Sequence, residues 1–374
     1  MLTRQYADVF SLYRTRFPEC SRTFITRGGA GSMPVRLGFV GVGGRAVREM
    51  LDLVRIPAAQ IVAFCDIVPE RCQQALERVN ARRPEGTPPL EGVRFFTDTR
   101  DMLQSVELDA VYVSLPPFAH GDIEHAIIDA GKALFVEKPV AIDMRTAREI
   151  EAHIRARGII SCVGYQSRYS TAIQQARRAL LGVPIGLVIA IRIGGLPGTP
   201  WWRVQALSGG MLIEQHTHGV DLMRYLAGEV ESVYAVANTQ LLTDVPGLDI
   251  ADVNAVAVRF KNGAVGTIAN TCALQPGQGA PPALGGVHVI AKNMTVTASA
   301  AATTIQRPQG QREEYIAEGE PNFEMNRAFI HAVETGDRSG ILSDYTDGMR
   351  TFEVTYAAHL SAVRGEPIRI GEGY

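Results

Sequence analysis

The sequence predicts a doubly wound parallel α/β domain over about residues 34–160, followed by an α+β domain on a mainly antiparallel sheet over residues 161–374. The length of 374 residues suits two domains. Short apolar runs alternate with helical stretches in the first half, whereas longer strand-like runs flanked by separate helices fill the second. This change of pattern near residue 160 marks the predicted boundary.

The first domain has near-continuous apolar strands, which indicate a parallel sheet covered by helices on both faces. Its predicted strands are Val35–Val40, Gln60–Cys65, Val93–Phe96, Asp109–Leu115, Ala133–Val136 and Ile159–Val163. Its predicted helices are Ala46–Val54, Pro69–Arg82, Thr99–Gln104, Ala119–Ala130 and Asp143–Arg157. Such alternation is typical of a nucleotide-binding domain.

The second domain lacks this alternation. Its predicted strands are Ile185–Ile193, Val230–Asn238, Val253–Phe260, Ala264–Cys272 and Gly286–Ile290. Its predicted helices are Thr171–Leu181, Gly210–Ala227, Phe323–Thr335 and Asp344–Val363. The segment from Gln275 to Gly286 is rich in Gly and Pro and is predicted to be a mobile loop.

Composition excludes several classes of protein. A formal net charge of −2 provides no general field for nucleic acid, and no stretch approaches the roughly 18 apolar residues of a membrane-spanning helix. A hydrophobic content of 46% excludes global disorder. The five cysteines form no C-x-x-C pair and no short metal-ligand spacing, which favours reduced thiols in a cytoplasmic protein.

Residues 1–33 form an N-terminal extension that differs from the rest. They contain five arginines against two acidic residues and no apolar run typical of a secretory signal. This composition has two explanations. The extension is a disordered transit peptide, or the true translation start is Met33. The extension is therefore left out of the predicted fold.

A glycine-rich motif follows the first predicted strand. Gly41, Gly43 and Ala46 fit the pattern G-x-G-x-x-G/A, with Gly44 and Arg45 between them. In this pattern the first glycine allows a tight turn, the second lets backbone N–H groups approach a pyrophosphate, and the small third residue packs helix on strand. The motif predicts a dinucleotide cofactor at the start of the following helix.

The second strand ends at Asp66, 25 residues after Gly41. A carboxylate there is placed to accept hydrogen bonds from ribose hydroxyls and would repel a 2′-phosphate, which favours NAD. Arg71 lies close enough in sequence to leave NADP possible. The alternative is that Asp66 only begins the next turn.

Two more strands end in polar residues at the edge where open α/β sheets bind ligands. The fourth is followed by Ser114, Pro116 and His120, all three expected to contact the cofactor; for His120 a capping or packing role is an equal alternative. The fifth is followed by Glu137 and Lys138 before Pro139, which restricts the lysine backbone. Lys138 could lower the pKa of a substrate hydroxyl, and a solvated turn lysine is the alternative.

A predicted helix carries Glu214, His218 and Asp221 at spacings i, i+4 and i+7. On one continuous helix they fall within about 60° of one another, with His216 opposite. A histidine between two carboxylates suits proton transfer. The alternatives are a solvated polar face and a metal site, and the single histidine on this face argues against metal.

Together these motifs resemble the glucose-fructose oxidoreductase/inositol dehydrogenase (Gfo/Idh/MocA) family. Gly41–Ala46 is similar to its cofactor loop, and Glu137–Pro139 matches its E-K-P motif. Ser208–Gly210, followed by His218 and Asp221, is similar to its G-G-x(n)-H-x-x-D helix. The resemblance covers nearly the whole chain after the extension.

The resemblance implies a Rossmann domain with a large open-faced sheet domain, in a homodimer or homotetramer. It implies NAD(P)-dependent hydride transfer at a secondary hydroxyl or ketone of a sugar, inositol or related polyol. It also implies that Lys138 is catalytic, that His218 is the general acid/base, that Asp221 positions the substrate, and that Pro139 is cis. Glu214 occupies a position where related enzymes often have aspartate.

Further substrate contacts are expected from Gln166, Arg168 and Trp202, with a core position as the alternative for the tryptophan. In the expected reaction His218 takes the hydroxyl proton, Lys138 binds the developing alkoxide and Glu214 stabilises the imidazolium. Two other functions remain open: an NAD-dependent glycosidase of the same fold, and a non-catalytic NAD-sensing regulator.

Overall fold

The computed structural model describes residues 33–274 and 284–374. The first sheet is parallel throughout, with strand order β3-β2-β1-β4-β5-β6. Its strands are β1 Val35–Val40, β2 Ala59–Cys65, β3 Arg94–Phe96, β4 Ala110–Val113, β5 Ala133–Val136 and β6 Ser161–Val163. Its helices are α1 Gly44–Leu53, α2 Pro69–Arg82, α3 Thr99–Ser105, α4 Asp122–Asp129 and α5 Met144–Arg157. The predicted doubly wound domain is confirmed.

Local sequence explains the ends of these helices. The Asp98 side chain accepts from the first backbone N–H groups of α3, and the Asp143 side chain does the same for α5. Gly158 ends α5 in the left-handed conformation that glycine adopts without strain. The helices pack on both faces of the sheet and form two separate apolar cores. Both faces are therefore covered, and a ligand can bind only at the carboxyl edge of the strands.

The second sheet has nine strands in the order β14-β13-β12-β11-β7-β10-β9-β8-β15. Its strands are β7 Ile185–Ile193, β8 Val230–Asn238, β9 Val253–Phe260, β10 Val265–Thr271, β11 Leu284–Ala291, β12 Met294–Ala298, β13 Ala302–Gln306, β14 Arg312–Ile316 and β15 Ile368–Arg369. Among the described strands of this second sheet, only β7 and β10 pair in parallel. The mainly antiparallel sheet is therefore confirmed.

Four strands, β12 to β15, were not predicted. Strands β12 to β14 have five residues each, β14 contains three charged side chains, and β15 has only two residues. In β12, buried and exposed positions alternate along the strand. That period of two is the signal that could have identified it.

Helices cover one face of the second sheet and leave the other open. The helices after β6 are α6 Thr171–Leu180, α7 Gln205–Ser208, α8 Gly210–Glu214, α9 Thr217–Ala227, α10 Pro321–Thr335 and α11 Tyr345–Arg364. Val188 on β7 and Val220 on α9 belong to the same buried core. On the opposite face Tyr234 and Val236 are exposed.

The two domains are not cleanly separated at the predicted boundary near residue 160. β6 extends the parallel sheet to Val163, beyond residue 160. Helix α10, far along the chain, packs Met325 and Phe329 into a core of the first sheet. Residues 1–32 and most of the predicted loop at 275–286 lie outside the described residues. No described helix is long and apolar enough to cross a membrane.

Candidate active site

The glycine motif lies at the carboxyl edge of the parallel sheet, between β1 and α1. Gly41 has a φ of +77°, and a β-carbon there would lie 2.3 Å from the carbonyl oxygen of Ser114, just after β4. Any larger residue would collide with this backbone atom. Glycine is therefore required for the turn to pass so close to the neighbouring strand.

Beyond this turn the loop opens. A β-carbon added to Gly43 or Gly44 would meet no described atom within 4 Å. Helix α1 begins at Gly44, so its free N–H groups point towards this space. Ala46 is fully buried behind it. The residues present thus fit a pyrophosphate, with backbone donors and the positive end of a helix available.

Asp66 links this loop to the turn after β2. Its carboxylate accepts from the backbone N–H of Val42 at 3.2 Å and from that of Val68 at 3.0 Å. The guanidinium of Arg71 lies 3.5 Å from the same carboxylate. A carboxylate has further lone pairs for ribose hydroxyls, so its position suits the predicted role.

The Arg45 side chain binds residues from three parts of the chain. Its Nε donates to Glu137 Oε1 at 2.6 Å, and its Nη2 donates to Asn322 Oδ1 at 2.7 Å. Nη2 also lies 2.7 Å from Glu49 Oε1. Burial raises the pKa of Glu49 to about 8. Arg45 therefore holds the E-K-P loop and helix α10 to the glycine loop, which motif spacing alone could not show.

Ser114, Pro116 and His120 lie where β4 leaves the sheet. Pro116 precedes a short 3₁₀ helix, Pro117–Ala119. His120 Nδ1 lies 2.6 Å from Glu124 Oε1, and the other carboxylate oxygen accepts from the Gly121 backbone N–H. Among the described contacts, Glu124 caps the start of helix α4 and buried His120 packs against it, which agrees with the packing alternative for His120.

Lys138 is held at the end of β5. Its Nζ donates to the Glu214 carbonyl oxygen and to Glu214 Oε1, both at 2.8 Å. The Trp202 ring centroid lies 6.0 Å from the same nitrogen. The peptide bond before Pro139 is cis, which confirms that expectation. The lysine is thus fixed between the two domains beside an aromatic wall.

The predicted continuous helix from Gly210 to Ala227 is broken, and the one-face arrangement is wrong. Helix α8 ends at Glu214 and α9 begins at Thr217. The break is a wide turn, because the backbone N–H of His216 donates to the Met211 carbonyl five residues earlier. Glu214 consequently pairs with Lys138, and only His218 and Asp221 share a helix.

His218 follows the break and stands edge-on to the Tyr165 ring, with centroids 6.0 Å apart. Burial lowers the pKa of His218 well below its usual value, and the nearby charges of Lys138 and Arg192 lower it further. Its buried Nδ1 has no hydrogen-bond partner among the described residues. A neutral imidazole in this position can accept a proton.

Asp221 and Arg168 bind each other. Arg168 donates through Nε at 2.9 Å and Nη2 at 2.5 Å to the two Asp221 oxygens, and the Thr351 hydroxyl donates to Oδ1 at 3.0 Å. Asp221 is 1% exposed and Arg168 is 3% exposed. Neither is free to meet a substrate as expected. Gln166, by contrast, has a buried Oε1 without a described partner.

Two family models match the chain. Residues 35–165 match the GFO_IDH_MocA oxidoreductase family with its NAD-binding Rossmann fold, and residues 170–300 match the GFO/IDH/MocA C-terminal domain. The chain belongs to the GFO/IDH/MocA oxidoreductase family. Its first domain is therefore an NAD-binding Rossmann domain, and the protein is an NAD-dependent oxidoreductase.

Named relatives of this GFO/IDH/MocA protein are distant. Myo-inositol 2-dehydrogenase of Thermotoga maritima is 23% identical over 345 residues, which cover 90% of this chain and 99% of that protein. Scyllo-inositol 2-dehydrogenase (NAD⁺) of Bacillus subtilis is 26% identical over 243 residues, 63% of this chain and 66% of that protein. A levoglucosan dehydrogenase structure with NADH and levoglucosan superposes with a TM-score of 0.76 at 19% identity, covering 91% of this chain and 100% of that one.

Asp66 provides a test of cofactor preference. We expect Asp66→Asn to raise kcat/KM with NADP relative to NAD by about 10- to 100-fold, because it removes a carboxylate that repels the 2′-phosphate and frees Arg71 to pair with it. Glu70→Gln, an exposed acid in the same turn region, is the matched control. An unchanged ratio in Asp66→Asn would exclude this role.

Proposed function

We propose that this oxidoreductase transfers hydride between NAD and a secondary hydroxyl or ketone of a sugar, inositol or related polyol. The observation that carries the proposal is the placement of Lys138, whose Nζ is fixed 2.8 Å from Glu214. His218 is neutral and lies on the helix that follows. A cation and a neutral base beside a cofactor loop are the groups that alcohol oxidation requires.

In the proposed mechanism His218 accepts the proton of the substrate hydroxyl. Lys138 donates a hydrogen bond to the oxygen as negative charge develops there. Glu214 keeps Lys138 oriented through two hydrogen bonds, in place of the expected role of stabilising the imidazolium. Trp202 offers an aromatic face to sugar C–H groups. Bound NAD supplies the hydride acceptor.

A substrate panel tests the function. Myo-inositol, scyllo-inositol, glucose, xylose and their keto forms are followed at the NADH absorbance band. Stoichiometric NADH formation with at least one polyol or sugar supports the proposal. Cleavage of a glycoside with NAD bound but not consumed would indicate the glycosidase, and NAD binding without turnover of any compound would indicate the regulator. Either result overturns the dehydrogenase proposal.

We further propose that the open face of the second sheet binds a second copy of the chain, giving a homodimer or homotetramer. Apolar side chains on this face are exposed on several strands, among them Tyr234, Val236, Ile290 and Ile316. Large apolar side chains exposed on three strands of one sheet face support a surface that another chain covers.

The open face gives a direct test. We expect Val236→Glu, a charge at a position 56% exposed in one chain, to dissociate the assembly in light scattering. NADH binding should persist, because the Rossmann domain is not altered. Glu70→Gln again serves as the control. A wild-type monomer would contradict the proposal.

We also propose a cytoplasmic location. The four described cysteines, Cys65, Cys72, Cys162 and Cys272, are buried and unpaired. Burial raises the pKa of the Cys72 thiol to about 11. Unreactive thiols of this kind suit a reducing compartment.

A further inference from the structure

A row of polar side chains crosses one end of the second sheet, on the face that the helices cover. Arg192 on β7 is the register partner of Asn270 on β10, which in turn pairs with Asn254 on β9. Side chains alternate along a strand, so Arg192 and Asn270 point to the same side as the buried Ala190 and Ile268. An otherwise apolar face thus ends in a polar wall.

Several atoms of this wall have no partner. The Nε of Arg192 is buried without an acceptor among the described residues, and so are both side-chain amide atoms of Asn270, which is 5% exposed. Buried polar atoms in native proteins are nearly always hydrogen-bonded. Two adjacent residues with three unpaired atoms therefore indicate a ligand that satisfies them.

The wall faces the active site. Arg192 donates to Gln215 Oε1, and Gln215 Nε2 donates to Glu214 Oε2 at 2.6 Å. The other oxygen of Glu214 binds Lys138. Arg192 is also one of the charges that lower the pKa of His218. Arg192 and Lys138 therefore lie on opposite sides of Glu214, at the two ends of one hydrogen-bonded chain.

The charge at Arg192 is not balanced. Lys138 forms an ion pair with Glu214, and Arg45 pairs with Glu137. Arg192 has no ion pair among the described residues, and Glu214, the carboxylate that acts on its charge, is already bound by Lys138 and Gln215. A partly buried guanidinium without a counter-ion favours an anionic ligand.

We propose that the substrate is a sugar acid or similar polyhydroxy acid, whose carboxylate binds Arg192 and whose adjacent hydroxyl binds Asn270. The fork of guanidinium N–H groups matches a carboxylate. The Asn270 amide offers a donor to that carboxylate and an acceptor to the neighbouring hydroxyl. A different hydroxyl of the same molecule then reaches Lys138 and His218. This inference rests on the proposed function.

Matched substrate pairs test the inference. D-gluconate is compared with D-glucitol, and D-glucuronate with D-glucose, by kcat/KM from NADH formation. For the acid that is the better substrate, we expect kcat/KM to be about tenfold or more above that of its neutral partner. Arg192→Gln should lower kcat/KM for the acid by about 10- to 100-fold and for the neutral partner by much less. A neutral preference in the wild type, or equal losses for both members of a pair, overturns the proposal.

A second variant tests the same site in case Arg192→Gln fails to fold. Asn270→Asp has the same shape but places a carboxylate beside Arg192, so it should weaken acids selectively. Arg259→Gln, at an exposed arginine on β9 of the same sheet, is the control and should leave the acid preference unchanged. Equal effects of Asn270→Asp on acids and neutral partners would also overturn the proposal.

Binding can be measured without turnover, because the chain has two tryptophans, Trp201 and Trp202, and the Trp202 ring lies 6.0 Å from Lys138 Nζ. Each acid and its neutral partner is titrated against tryptophan fluorescence in wild type and Arg192→Gln. Acid-selective binding that is lost in Arg192→Gln supports the carboxylate site, even if no compound is oxidised. Binding without oxidation would overturn only the proposed dehydrogenase function. Binding of neither acid overturns the site.

Discussion

Lys138→Ala is expected to lower kcat by about 100- to 1,000-fold. The variant removes the hydrogen-bond donor that is held 2.8 Å from Glu214 and that binds the reacting oxygen in the proposed mechanism. The loss appears in the transition state, where the alkoxide charge is greatest, so kcat should fall more than KM rises. Steady-state rates with the best substrate of the panel measure it.

Lys132→Ala is the matched control for this variant. Lys132 immediately precedes the same strand, β5, but at its opposite end, away from the carboxyl edge. It should retain wild-type kcat. NADH binding, measured by fluorescence, should stay within about threefold in both variants, because neither touches the glycine loop. A Lys138→Ala enzyme with wild-type kcat would disprove the catalytic assignment.

Asp221→Ala is expected to lower the free energy of unfolding by about 3–5 kcal/mol, because it leaves a buried arginine without its bidentate partner. Arg168 would then keep only Asp347 as an ion-pair partner among the described residues, and Asp347 is also bound by Arg224, which pairs with Glu229 as well. Burial raises the pKa of Asp221 while Arg168 lowers it, so the carboxylate depends on this pair. Urea unfolding measures the loss.

Glu231→Ala provides the comparison for Asp221→Ala. Glu231 pairs with Arg369 at 3.3 Å on the surface, and its removal should cost less than about 1 kcal/mol. Asp221→Asn, assayed where it remains folded, separates structure from substrate binding. A positioning residue changes activity through His218 and leaves KM nearly unaltered, whereas a raised KM alone would restore the direct substrate role.

The fold was predictable because its signals are local. The β1 strand, the glycine motif and Asp66 follow one another within about 30 residues, and each has a mechanical reason for its position. The pairing of Glu214 was not predictable, since a helix of uniform period assigns it to His218. The wide turn at His216 separates the two residues, and Lys138 from the first domain binds Glu214 instead.

The polar wall escaped prediction for a similar reason. Arg192 is the last residue but one of an apolar strand. From sequence alone, a single arginine there is indistinguishable from a solvent-exposed residue at a strand end. Its significance appears only when β10 brings Asn270 alongside. Arg45 is comparable: the motif predicts a contact with the cofactor, but Glu137 and Asn322, distant in sequence, determine its direction. Long-range pairing carries information that spacing does not.

Helix α10 limits the modularity of this protein. It follows the whole second sheet in the chain, yet its Asn322 binds Arg45 and its Phe329 completes a core of the first sheet. A fragment ending near residue 165 would expose that apolar face and lose the contact that steadies the cofactor loop. Exchanging the first domain between relatives therefore requires exchanging α10 with it, so the transplantable unit is discontinuous in sequence.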